Sequence, residues 1–163
     1  WKIELQREEA HRAFDNSHEF HTYVNKAAID SANLALRTLI LINGGAAVAI
    51  LAFLGGIDSK DKVDFAEVGA VANTIRYFAI GVALALAAMA LAYLTNYFMA
   101  AIESAKDKSY APPYVVDGPK SKSMRCINRV FHILSFGSAL ASLSLFMVGM
   151  FAASDKVTHL LIK

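Results

Sequence analysis

A second cysteine is missing from this sequence. Cys126 stands alone, so an intramolecular disulfide framework and a cysteine-rich zinc site are both excluded. Proline is scarce: Pro112, Pro113 and Pro119 are the only three, and they fall in one segment with Gly118. Neither glycine nor proline occurs before Asn43. A large excess of either charge is absent as well. The net charge is +2, and no solvated basic stripe of the kind that binds nucleic acid is present. Residues 1–30 are mixed and charged throughout, unlike the apolar core of a cleavable leader.

The decisive lack is of charge in three places. No Asp, Glu, Lys or Arg occurs in residues 38–57, 77–102 or 130–154, runs of 20, 26 and 25 residues. A helix needs about 20 consecutive apolar residues to cross a bilayer core. With 56% hydrophobic and 18% charged residues overall, the chain departs from an ordinary soluble domain. The expected fold is all-α: an integral membrane bundle of three transmembrane helices preceded by a cytoplasmic amphipathic helix.

Glu, Gln, Arg, Ala and Leu favour helix over residues 1–30. Ala10, Ala13, Phe14, Phe20, Val24 and Ala27 form its weaker face; Glu4, Glu8, His11, Asp15 and His18 form the other. Asn16-Ser17 or Asn25 could break this helix, or it could run straight into the first span. The three-span domain occupies residues 31–154, with spans at about 38–54, 75–102 and 130–153. An acidic loop over 57–69 joins the first two. The second helix is expected to continue to about Lys108. A Pro-containing cytoplasmic loop over about 109–125 follows, and a short tail covers 155–163.

Lys and Arg counts set the orientation. The N-terminal flank and the second loop together carry 11, and the opposite side carries 5. The expectation is an inner (plasma) membrane protein with its N-terminus in the cytoplasm and its C-terminus outside.

Burial alone does not hold helices together in lipid; close packing of small residues does much of that work. Span one carries a seam at Ala35, Thr38, Ile42, Gly45, Ala49, Ala52 and Gly56. Span two carries Gly81, Ala85, Ala88, Ala92 and Thr95, and a further face of Ala83, Ala87 and Ala90. Span three carries Ser135, Ser138 and Ser142, and another face of Gly137, Ala141 and Ser144. Two small faces on each of spans two and three exceed what a three-span monomer needs, which points to a second copy or another membrane protein.

Asn43, Asn96 and Ser135 each lie six or seven residues inside a charged residue at the cytoplasmic edge. They are therefore expected at one depth, with Thr95 and His132 nearby. Polar groups at that depth need partners. They could form an interhelical clasp, line a pore in an oligomer, or meet a ligand or lipid headgroup. At the membrane edge, Glu103 is placed to pair with Arg37 or Arg129.

Catalytic patterns are sparse. Glu8, His11, Asp15 and His18 step along one helical face, but His18-Glu19-Phe20-His21 lacks the four-residue histidine spacing of a zinc helix. The Gly44-Gly45 pair lies within a span and follows no strand. No Asp, Glu, Lys or Arg sits deep in a span, which disfavours ion-coupled transport. The expected function is non-enzymatic: a polytopic protein that self-associates through small-residue faces, with a pore or channel among the assemblies open to it, or else an accessory subunit of a larger membrane complex. No cofactor or metal is called for. An impermeant thiol reagent applied outside intact cells is expected to leave Cys126 unlabelled; labelling would reverse the orientation.

Overall fold

A computed structural model describes residues 2–57, 65–105, 107–108, 115–116 and 118–162, with most side chains before residue 22, those of the two short strands and a few near the helix ends not described. The chain divides into two compact units, Trp1–Ala35 and Leu36–Lys163. Four helices and one two-residue antiparallel ladder make up the described residues. Three helical stretches, Thr22–Gly55, Val68–Ile102 and Ser123–His159, are long and apolar enough to cross a membrane.

Helix α1, Lys2–Gly55, is unbroken at Asn16-Ser17 and at Asn25. Neither a proline nor a glycine interrupts it until Gly44-Gly45, and an isolated glycine pair is tolerated in an apolar helix. It stops at a second pair, where the Gly56 N–H reaches the carbonyls of Ala52 and Phe53, both at 3.1 Å. Glycine is the usual residue at such a helix end. In the first unit, Phe20, Tyr23 and Val24 are exposed, and Ser31 Oγ donates back to the Ala27 carbonyl at 2.8 Å. The side chains of Ala10, Ala13, Phe14, Glu8, His11 and His18, on which the expected amphipathic faces rest, lie outside the described residues.

In the second unit, helix α2 covers Phe65–Ala72, where an acidic loop was expected through Gly69. Residues 58–64 of that loop lie outside the described residues. The apolar stretch after them is helical because it has a surface to cover: Val71 is fully buried and α2 packs on the last helix. A turn at Asn73-Thr74 follows, held by Thr74 Oγ1 donating to the Val71 carbonyl at 2.7 Å. Helix α3 then runs Ile75–Ser104, four residues short of the expected end.

Strands β1, Asp107–Lys108, and β2, Val115–Val116, pair antiparallel. Helix α4 spans Pro119–Ile162, so the helix begins within the expected loop and continues through the expected tail. Proline suits the first helical position, where its missing N–H is not needed. The Ser121 N–H closes the first turn on the Gly118 carbonyl at 3.0 Å.

Helices α3 and α4 form an antiparallel hairpin, the most extensive packing in the chain. At one end Phe78 meets Phe146 edge-on at 6.1 Å. At the other Phe98 stacks on Phe131 at 5.5 Å. Contact is tight at Gly149, where an added Cβ would fall 2.8 Å from Phe78 Cζ. Phe78 is itself fully buried and cannot swing away freely. Gly149→Ala is therefore expected to destabilise the hairpin by about 1–3 kcal/mol, the usual range for overpacking. Reversible denaturant titration in detergent would measure this. Phe78→Leu in the same chain should recover part of the loss, since the two residues share one contact.

Candidate functional site

The hairpin seam follows a seven-residue period. On α4 the inward positions Ser121, Asn128, Ser135, Ser142 and Gly149 recur every seventh residue and are buried or half-buried. On α3 the buried positions Phe78, Gly81, Ala85, Ala88, Thr95 and Ile102 advance by three, four or seven. A repeat averaging 3.5 residues keeps one seam facing its partner along a left-handed pair. Small side chains on α4 let its hydroxyls reach the α3 backbone. Ser142 Oγ donates to the Gly81 carbonyl at 2.7 Å. Ser135 Oγ donates to the Ala88 carbonyl at 2.8 Å. Both helices have moved seven residues between these bonds, in opposite directions, so the register is fixed at two points.

Helix α1 joins the seam through Asn43, which is fully buried. Its Nδ2 donates to the Leu39 carbonyl at 2.9 Å and, more weakly, to Ser142 Oγ at 3.4 Å. Its Oδ1 has no hydrogen-bond partner and faces Gly81, where an added Cβ would fall 2.7 Å from Asn43 Cγ. A Cα–H···O contact is the weak interaction such an approach allows. Asn43, Gly81 and Ser142 thus form one node joining three helices.

The expected polar layer is distributed differently. Asn43 meets Ser142, not Ser135, a difference of seven residues or about 10 Å along α4. Asn96 and His132 are exposed on the helix surfaces. Thr95 is buried and bonds within its own helix, to the Leu91 carbonyl at 2.9 Å. Arg37 is not a fixed marker of the edge, because long cationic side chains reach back to the interface from a turn or more inside. What sets the level of Asn43 is the space that Gly81 leaves.

Of the expected packing residues, Gly81, Ala85, Ala88 and Ser142 are buried in the seam, and Ala92 and Ser138 are half-buried. Gly45, Ala49 and Ala52 are exposed. The second faces, Ala83, Ala87 and Ala90 on α3 and Gly137, Ala141 and Ser144 on α4, are exposed too. At the membrane edge, Arg37 and Arg129 are exposed, and the side chain of Glu103 lies outside the described residues. Sequence reasoning missed Ser121, Asn128 and Gly149 as seam residues. Their signal was present as an unbroken seven-residue spacing through Ser135 and Ser142.

No protein-family profile, curated protein or solved structure matches the chain.

Two substitutions separate the hydrogen bond from the close approach. Ser142→Ala is expected to cost about 0.6 kcal/mol, and at most about 1.7, as for other interhelical bonds in membranes. Gly81→Ala should cost more, about 1–3 kcal/mol, and Asn43→Ala in the same chain should relieve it. Unfolding titrations of the single and double variants in detergent would check both.

Proposed function

We propose that this is a non-enzymatic inner-membrane protein that self-associates through the outward face of α1. The observation that carries this reading is the division of α1 into two faces. Leu36 and Asn43 are buried. About half a turn away, Thr38, Gly45, Ala49 and Ala52 form a stripe of small residues that is exposed along its length. A Cβ added at Gly45 would meet nothing within 4 Å. Leu or Val would serve as well on a face that met only lipid, whereas small residues let a second helix approach closely. The outward alanines of α3 and the outward Gly137, Ala141 and Ser144 of α4 offer further small surfaces of the same kind.

The buried placement of Asn43 and Ser142 supports a clasp role for them and gives no support to a pore lined by them. Asn96, on an outer surface, could face a neighbouring copy. The accessory-subunit reading uses the same α1 stripe against a different helix. The Lys and Arg imbalance supports an N-terminus in the cytoplasm.

Gly45→Leu tests the proposal cleanly, since the open space at this position leaves the fold of the single chain untouched. The wild-type chain is expected to give a discrete multimer in lipid nanodiscs or mild detergent, and Gly45→Leu and Ala49→Leu are expected to shift the mass to monomer. A wild-type monomer that co-purifies with another membrane protein would favour the accessory reading.

A further inference from the structure

The first third of α4 carries only one sign of charge. Lys120, Lys122, Arg125 and Arg129 occur within its first eleven residues, and no Asp or Glu appears on α4 before Asp155. This runs against the helix dipole, which favours anions near an N-terminus and disfavours cations there. The cations also stand at the limit of the uncharged run that begins at Val130, so they sit where hydrocarbon gives way to headgroups.

Their placement on the helix is specific. Arg125, Arg129, His132, Phe136, Leu140 and Leu143 step by four, three, four, four and three, which keeps them on one stripe at 3.6 residues per turn. All six are exposed. The stripe runs beside the Ser121–Asn128–Ser135 seam. Arg125 donates to Ser121 Oγ at 3.3 Å, which ties its guanidinium to the helix surface. Arg129 follows one turn, about 6 Å, further on. Below the two guanidinium groups comes an imidazole, then a ring that is 64% exposed, then two leucines.

We propose that this stripe binds the headgroup of an anionic phospholipid. The Arg125 and Arg129 guanidinium groups would hold the phosphate, with His132 able to donate below it and an acyl chain lying along Phe136, Leu140 and Leu143. Charge complementarity selects the occupant. A cluster of cations on a helical segment that carries no acid of its own attracts a net negative headgroup and gains little from a zwitterionic one, and each cation near an anionic surface contributes on the order of 1 kcal/mol. The order of side chains along the stripe, cationic to polar to apolar, matches the order of groups along a phospholipid. This inference is independent of how α1 assembles.

The test is native mass spectrometry of the full-length chain in detergent, with phosphatidylglycerol or phosphatidylcholine added in equal amounts. The wild-type chain is expected to retain phosphatidylglycerol preferentially. Arg129→Gln should weaken that retention about fivefold, and Arg125→Gln with Arg129→Gln about 25-fold. Lys156→Gln, at the opposite end of α4 in an exposed pair with Asp155 at 3.2 Å, should leave it unchanged. Equal retention of the two lipids, or an unchanged preference in the double variant, would overturn the proposal. So would a double variant that loses oligomeric mass while still holding phosphatidylglycerol, because the stripe would then belong to a second copy.

Discussion

Two helices in hydrocarbon gain little by hiding apolar surface from each other, so they must come close enough for backbone and hydroxyl groups to touch. In this chain that closeness is set by α4. Its inward positions are Ser, Asn, Ser, Ser and Gly at every seventh residue, and none of them holds α3 at a distance. The two serine-to-carbonyl bonds, at 2.7 and 2.8 Å, are possible only at that separation. Asn43 enters the same node because Gly81 has no side chain. If the hairpin opened, the support for α1 at this level would go with it.

The hairpin also explains why the remaining small residues matter. An α-helix has room for one close seam with each neighbour, and α3 and α4 use theirs on each other. The stripe of Thr38, Gly45, Ala49 and Ala52 on α1 is left facing outward. The basic stripe of α4 faces outward as well, but with different chemistry: guanidinium groups and an aromatic ring in place of glycine and alanine. On the readings proposed above, one surface meets another helix and the other a lipid.

Three spans could be read from the sequence because uncharged runs of 20 to 26 residues have few other uses. The Gly55-Gly56 stop was legible for a similarly local reason, the preference of helix ends for glycine. The α3 seam was legible as small residues at helical spacing. The depth at which helices meet was not. It was counted from charged residues, whose long side chains blur the edge by a turn or more, and so Asn43 was matched with Asn96 and Ser135. Nor does the sequence reveal which small face of a helix turns inward. Gly45 and Gly81 look alike in a list of small residues, yet one faces open space and the other faces Asn43.

Helix α4 is the least hydropathic of the three membrane-length helices, and its seam shows why this is no defect. The hydroxyls of Ser121, Ser135 and Ser142 lie along a single line that faces α3, while the large side chains exposed on the rest of the helix are mostly Phe, Leu, Ile, Met and Val. A lone α4 would carry Ser135 and Ser142 into hydrocarbon with only their own backbone to satisfy them. Helix α3 precedes it in the chain and presents the Gly81 and Ala88 carbonyls at the matching heights. The order of synthesis therefore makes one helix the template for the next, and entry of α4 into the membrane becomes a docking event as much as a partitioning one.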